Sequence, residues 1–411
     1  MSRKVNLMAG VKACVALTVN ENAEICSSVA GRTEPSILRE RGLSMNAISI
    51  PWFGPDVGDL EQSRVAAVIA SNYINDGRVT REFEQRIAER IGVRHCVGVT
   101  SGTAAISLAL IAVGVEPGDE VLVPDLTFIA TANAARMIGA EVKLIDAEPR
   151  RFTIDVEKAA AAIGPRTRAI VPVDVNGRGA DYDALEALAK EKNLKIVCDA
   201  AEGLGSKYRG RNLGTFGDAA CFSFSANKTV TSGQGGMVAT NSDEIYFRLR
   251  ELKDQGRREG GTGGDDLHPV LGFNFKYTNL QAAVGLAQME RMEDRLAHFG
   301  ERDSWYRELL GNCPGIELPG TPNWSGEALQ WTDVLCADRP RVQRALKDEG
   351  IDTRAFWFPL HRQKPYQAGD DAFPVAIDIS ARGLWLPSSF ALTRQQAEQV
   401  ARVISHAMKS G

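Results

Sequence analysis

The chain has 411 residues, 44% of them hydrophobic and 24% charged, which is ordinary for a globular protein able to bury a sizeable core. A formal net charge of −4 supplies no overall basic field of the kind that nucleic-acid-binding surfaces present. No apolar run reaches the ~18–20 residues needed to span a bilayer, and the longest, Ala104 to Val115, reads as a buried helix.

Residues 1–45 lack clear periodicity and mix Ser, Asn, Arg and Glu. The stretch from Leu7 to Val19 has the position of a secretion signal, but Lys12 interrupts it and no coherent apolar region forms. These residues are expected to be a poorly ordered extension ahead of the well-patterned body, which Met45 directly precedes. The seven cysteines are scattered, odd in number and never spaced C-x-x-C, so a disulfide framework or zinc site is not expected and a reducing cytoplasm fits. The five histidines show no ligand spacing, and no metal is expected.

From residue 60 to 240, short apolar runs alternate with helical patterns. Seven strands are expected at Cys96–Thr100, Glu120–Pro124, Glu141–Asp146, Ala169–Val175, Lys195–Asp199, Ala219–Phe224 and Gly236–Thr240. Continuous apolar runs separated by helices predict strands buried on both faces of a mostly parallel sheet. The intervening helices are Gly102–Val113, Ala130–Ile138, Val156–Ala162 and Tyr182–Lys192, the last capped by Asp181. A charged helix spans 241–261, a glycine-rich loop 260–266, and a long amphipathic helix runs from Leu280 to Phe299, capped by Thr278 or Asn279. A strand near Trp331–Cys336 and helices at Pro340–Glu349 and Thr393–Met408 complete the pattern. The expected division is a large domain over 46–300 and a smaller α/β domain over 301–411.

Four features at expected strand ends can serve one ligand. Lys228 follows the apolar run Cys221-Phe222-Ser223-Phe224, with Gly233-Gln234-Gly235-Gly236 beyond it. A lysine there suits a Schiff base to pyridoxal 5'-phosphate, because burial lowers an amine's pKa enough to make it nucleophilic; the bland reading is a solvated loop lysine. Ser101-Gly102-Thr103 opens a helix, where free N–H groups and the positive dipole end attract phosphate, and Ser223 can reach the same phosphate. An ordinary Ser/Thr helix cap explains the same stretch. Asp199 ends a strand where α/β folds place ligand groups and can pair with a protonated pyridine nitrogen; a helix cap is the alternative. Glu202 lies about one turn on. Phe128 can stack on a ring or sit in the core, with Asn133 as a nearby polar contact.

These motifs, in order, resemble the DegT/DnrJ/EryC1/StrS family of pyridoxal-phosphate-dependent sugar aminotransferases. The resemblance runs from about Ile48 to Leu392. It includes Val79-Thr80-Arg81-Glu82-Phe83-Glu84, Ser101-Gly102-Thr103-Ala104-Ala105, Thr127 to Asn133, Asp199-Ala200-Ala201-Glu202, Phe222-Ser223-Phe224 with Lys228, Gly272-Phe273-Asn274-Phe275, Asn279-Leu280-Gln281-Ala282-Ala283 and Phe358-Pro359-Leu360-His361. It implies the type I (aspartate aminotransferase) fold. By resemblance, Lys228 forms the internal aldimine and shuttles protons in a ping-pong reaction. Asp199 pairs with the pyridinium, Glu202 contacts the cofactor, Phe128 stacks on it, and Gly102, Thr103 and Ser223 hold its phosphate. Asn274 resembles an asparagine that reaches the phosphate from a neighbouring subunit, implying a homodimer with shared sites. Arg354 and His361 match positions lining the sugar pocket.

The chain departs from the family pattern in three places, one of them being that residues 1–45 have no counterpart in it. Asp174-Val175-Asn176-Gly177 stands where the family often has His-Leu-Tyr-Gly. Lys276 stands where it often has arginine, and a lysine cannot reproduce a bidentate carboxylate clamp. The family's dehydratase branch carries His at the Lys228 position, so Lys228 favours amino transfer. The implied reaction takes an amino group from glutamate or glutamine to a ketosugar, expected to be a nucleotide-linked 4-keto-6-deoxyhexose. A ketocyclitol acceptor and a cofactor-binding sensor without turnover are the alternatives. A nicotinamide-dependent dehydrogenase would need a G-x-G-x-x-G turn, which Val99-Thr100-Ser101-Gly102-Thr103 does not supply.

Overall fold

The computed structural model describes residues 49–258, 266–320 and 326–409. The expected extension over 1–45 and all but Asp266 of the glycine-rich loop lie outside the described residues. Helices α1 (Asp59–Ala70) and α2 (Arg78–Ile91) lead into a seven-stranded sheet. Its strands are β1 (His95–Val99), β2 (Glu120–Pro124), β3 (Glu141–Ile145), β4 (Thr167–Ile170), β5 (Lys195–Asp199), β8 (Ala219–Ser223) and β9 (Gly236–Thr240). A short hairpin, β6 (Lys207–Tyr208) with β7 (Arg211–Asn212), lies outside it. The spatial order is β1-β9-β8-β5-β4-β2-β3. Only β9 runs against the rest, pairing antiparallel with both β1 and β8.

The continuous apolar runs are buried on both faces. In β2, Val121 and Val123 join one core cluster while Leu122, between them, joins the other. Successive side chains of a strand point to opposite faces, so only a strand covered on both sides can be apolar throughout. Helix α3 (Gly102–Ala112) covers one face with Ala105, Leu108 and Ala109. On the other face lie α2, through Phe83, Ile87 and Ile91, and α6 (Tyr182–Lys192), through Leu185 and Leu188. Helices α4 (Ala130–Met137) and α5 (Val156–Ala162) complete the crossovers. Asp181 caps α6, its carboxylate accepting from Ala184 N.

Two expected elements end early and a third is broken in two. The fourth strand stops at Ile170 rather than Val175, because Val175–Gly177 turns into a single 3-10 turn with Asn176 at φ 51°. The charged helix, α7 (Asp243–Lys253), stops at Lys253, after which Asp254 bridges to Asn274. The long helix is two: α8 (Asn279–Glu290), capped by Thr278, and α9 (Met292–Leu310). Arg291 interrupts them, its side chain drawn into ion pairs with Asp56 and Glu61.

The second sheet is antiparallel: β10 (Ile316–Glu317), β11 (Thr332–Cys336), β13 (Gly383–Leu386) and β12 (Arg354–Ala355), in that spatial order. Helices α10 (Arg339–Asp348) and α12 (Arg394–Lys409) share its core, and α11 (Pro374–Arg382) leads into β13. Ile50 belongs to this core and pairs with Ile351, so the described chain begins against the second sheet before it builds the first. No helix among the described residues is long and apolar enough to cross a membrane.

The small residues that open α8 serve close packing. A Cβ on Gly285 would stand 2.6 Å from the Phe83 ring, which is itself fully buried. Gly285→Val is expected to destabilise the protein by roughly 1–3 kcal/mol through overpacking. Denaturant unfolding followed by circular dichroism would measure it, and an unchanged midpoint would contradict this packing.

Candidate active site

The carboxyl ends of the parallel strands converge on a cavity of about 280 Å³. Its wall takes Ser101, Gly102 and Thr103 from the β1–α3 junction, Thr127, Phe128 and Thr131 from the segment after β2, and Asp199 and Glu202 from the end of β5. Ser223 ends β8 and Lys228 follows it, while the second sheet and its flanks contribute Trp331, Arg354 and Trp357. Eight of the twelve site residues expected from the sequence thus meet here: Gly102, Thr103, Phe128, Asp199, Glu202, Ser223, Lys228 and Arg354.

At one end, Ser101 caps α3 by accepting from Ala104 N, and the residues that open the helix, Gly102 and Thr103, line the cavity. Glycine is required around this turn. A Cβ on Gly102 would stand 3.0 Å from Ser223 Cβ, and one on Gly236 would overlap Ser101 O at 2.2 Å. Asp199 is buried on the same wall. Its Oδ2 accepts from Thr131 Oγ1 at 2.7 Å and its Oδ1 from Ala201 N at 3.1 Å. Burial pushes its pKa up, opposed by these hydrogen bonds and by the charge of Lys228. Among the described residues it has two donors but no cation in hydrogen-bond reach.

The Lys228 ammonium lies 3.2 Å from Glu202 Oε1 and 5.3 Å from the centroid of Trp331. Glu202 is held in turn by Asn176 N, which donates to Oε2 at 2.8 Å. Lys228 is therefore neither a solvated loop lysine nor a partner of Asp199; it is clamped between a carboxylate and an indole, 12% exposed. Phe128 is 53% exposed and presents its ring to the cavity mouth.

Four expected site residues are not in the wall. His361 is fully buried: its Nδ1 lies 2.7 Å from Asp125 Oδ2, its Nε2 lies 3.0 Å from Asp370 Oδ1, and its ring stacks on Phe373. With both nitrogens engaged it has no atom left for a sugar; it pins the loop after Pro359 to the end of β2. Asn133 accepts from the Tyr366 hydroxyl at 2.7 Å instead of facing the cavity. Lys276 is held by Asp254 at 2.5 Å and by Asn274 at 3.0 Å. Asn274 is exposed and stands outside the cavity of its own chain.

Sequence reasoning missed Thr131, Asn176 and Trp331. Thr131 lay inside a quoted motif, one helical turn after Phe128, and that spacing was the available signal. Trp331 comes from the second sheet, and nothing local connects it with Lys228. Asn176 appeared only as a departure from the family pattern. Its side chain bonds Trp331 O at 2.7 Å and Asp333 Oδ2 at 2.9 Å, and its Oδ1 accepts from Trp331 N at 2.7 Å.

The residues fit pyridoxal phosphate. A helix N-terminus without a Cβ in the way offers a phosphate seat, a buried carboxylate has no cation in hydrogen-bond reach among the described residues, and the Lys228 amine lines the same cavity. Fold and site together define a type I aminotransferase. The chain belongs to the DegT/DnrJ/EryC1/StrS aminotransferase family, which matches residues 55–405. It is 36% identical over 362 residues to the GDP-perosamine synthase of Caulobacter vibrioides, covering 86% of this chain and 97% of that protein. Among solved structures it resembles DesI, determined in the presence of its TDP-sugar product, with a TM-score of 0.81, 31% identity and coverage of 88% and 93%. It also resembles a DegT DnrJ EryC1 StrS aminotransferase from Brucella abortus, with a TM-score of 0.80, 29% identity and coverage of 85% and 95%.

Asp174, behind Asp199, gives a pH signature. Its Oδ1 accepts from the Tyr182 hydroxyl at 2.6 Å, while Oδ2 is buried without a hydrogen-bond partner among the described residues. Burial pushes its pKa from 3.8 up to about 7. Because the folded value lies above the unfolded one, the stability it contributes is fully present below pH 3.8 and is lost as pH rises through about 7. Asp174→Asn is expected to flatten the decline in melting temperature between about pH 5 and about pH 8. Identical pH profiles for variant and wild type would contradict this.

Proposed function

We propose that the enzyme moves an amino group from glutamate or glutamine to a nucleotide-linked 4-keto-6-deoxyhexose, using pyridoxal phosphate held in this cavity. The observation that carries the reading is the clamped amine. Lys228 projects into a cavity whose wall also holds a buried carboxylate and a glycine-opened helix terminus. The acceptor class rests on the GDP-perosamine synthase relatives and on DesI with its TDP-sugar product.

When bound, the cofactor supplies an aldehyde for the amine and a ring that accepts electrons from the reacting carbon. Gly102, Thr103 and Ser223 would hold its phosphate against the start of α3, and Phe128 would cover its ring. Asp199, oriented by Thr131, would keep a proton on the ring nitrogen; a buried anion next to a buried cation lowers the cost of both. Lys228 Nζ is the base that would take a proton from the donor's α-carbon and later return one to the acceptor's. Glu202 holds Nζ toward the cavity, and Trp331 shields it from water.

The protein purified with pyridoxal phosphate is expected to absorb near ~420 nm and to keep the cofactor covalently after borohydride reduction. Lys228→Ala should lose the covalent link and at least ~10³-fold in activity. A half-reaction screen with glutamate and glutamine, then keto-nucleotide-sugars and ketocyclitols, identifies donor and acceptor. A colourless wild type, or a coloured one inert to every donor, would sink the reading.

We further propose a homodimer in which Asn274 completes the neighbour's phosphate seat, in a reducing cytoplasm to which the unpaired described cysteines are suited. The support is an outward-facing Asn274 three residues from Leu271, which is 86% exposed. Unfolding and refolding a mixture of Lys228→Ala and Asn274→Asp chains should restore roughly a quarter of wild-type activity, since half the dimers would carry one intact site. No recovery in a mixture shown to be dimeric would argue for sites built from one chain.

A further inference from the structure

A donor of the amino-acid class brings a carboxylate one bond from the carbon that carries its amine. Burying that carboxylate beside the reacting centre is costly unless a cation meets it. The cavity wall holds two cationic side chains among the described residues, Lys228 and Arg354. Lys228 is engaged at the reacting amine. We propose that Arg354 binds the α-carboxylate of the amino donor, an assignment that rests on the aminotransferase reading of this cavity.

The Arg354 guanidinium has neither a hydrogen bond nor an ion pair among the described residues, although it is half-buried. Its central carbon lies 5.2 Å from the centroids of both Trp52 and Trp385. Contacts of this kind hold a guanidinium by its face and leave its edge donors for a planar anion. Burial draws its pKa down, and the charge of Glu202 draws it back up, so this cation sits within electrostatic reach of the lysine's own partner. It is also preorganised. Arg354 lies in β12, directly across from Trp385 in β13, and Trp385 Nε1 is anchored on Asp333 Oδ1 at 2.5 Å.

The position favours a donor carboxylate over the phosphates of the acceptor. One aromatic floor joins the two cations: the Lys228 ammonium lies over Trp331, Trp331 and Trp385 are 4.8 Å apart, and Arg354 lies over Trp385. In a nucleotide-linked 4-ketohexose the phosphates attach across the sugar ring from the reacting carbon. In an amino acid the carboxylate is the reacting carbon's immediate neighbour. Lys276, where the family's arginine is often found, is spent on Asp254 and Asn274 and stands outside the wall.

The two half-reactions separate the sources of the anion. For Arg354→Gln, the glutamate concentration giving half the maximal single-turnover rate should rise roughly 10- to 100-fold, the usual loss for a charge-assisted hydrogen-bonded pair. The acceptor half-reaction, started from enzyme loaded with pyridoxamine phosphate, should change less than about 3-fold. The variant should also lose the wild type's preference for glutamate over 4-aminobutyrate, which lacks the α-carboxylate. Independently of turnover, calorimetric binding of 2-oxoglutarate should weaken by a similar factor. If Arg354→Gln does not fold, as judged by its melting temperature, Arg354→Lys is measured and should show a smaller shift in the same direction. An unchanged glutamate dependence in the folded variant overturns the assignment. So does a loss confined to the acceptor half-reaction, which would make the anion the acceptor's phosphate. A wild type that reacts with neither donor would refute the aminotransferase reading itself, and that outcome is read on a different sample.

Discussion

The active site depends on how Asn176 joins the two sheets. Its backbone N–H fixes Glu202, which faces Lys228, while its side chain bonds the backbone of Trp331 and the carboxylate of Asp333. One residue therefore sets the lysine's carboxylate partner and the indole beneath its ammonium. Asn176 achieves this in the left-handed region, at φ 51°, which asparagine tolerates better than a bulky or β-branched residue. The junction is buried, so each of its hydrogen bonds is costly to leave unmade. Arg178, two residues on, adds an ion pair to Asp333 at 2.5 Å with both side chains almost wholly excluded from water. Breaking one half of such a pair strands a buried charge, so the contact fixes the register between the sheets even where its net contribution to stability is small.

Around that junction the charges are arranged unevenly. Three acids, Asp174, Asp199 and Glu202, lie within a short reach of one another, and burial raises the pKa of the first two. The cations that face them from the cavity are Lys228 and Arg354, both resting on tryptophans from the second sheet or packed beside it. Low-dielectric surroundings strengthen every pairing a bound ligand makes here and penalise each group that lacks one. A cationic ring nitrogen against Asp199 and a carboxylate against Arg354 would each answer an unmet charge. Among the described residues the site thus has groups of both signs without an opposite charge in hydrogen-bond reach, Asp199 and Arg354, which the proposed cofactor and donor would meet.

Much of this was legible along the chain. The strands at the centre of the large sheet could be read because they are mostly apolar runs, a pattern that arises when both faces are covered; β3, at the sheet's edge, carries Glu141 and Lys143 and is less buried. Gly102, Asp199, Ser223 and Lys228 could be read because each sits where an apolar run ends, and parallel strands bring such ends together. The helix break at Arg291 could not be read, since nothing local marks it and the acids that pair with Arg291, Asp56 and Glu61, lie more than two hundred residues away. The surroundings of His361 could not be read for the same reason. Its neighbours in sequence do not reveal Asp125 and Asp370, which occupy both of its nitrogens.

The sequence by itself determined the doubly covered sheet, the strand-end groups and the family, because these follow from local periodicity and from motifs whose order is preserved along the chain. The tertiary structure alone decided which side chains share the cavity. The second sheet delivers Trp331, Trp357 and Arg354 through contacts between residues far apart in the chain, and no periodicity encodes such a meeting. It also decided that Lys228 answers to Glu202 rather than to Asp199, because the turn at Asn176 aims that carboxylate.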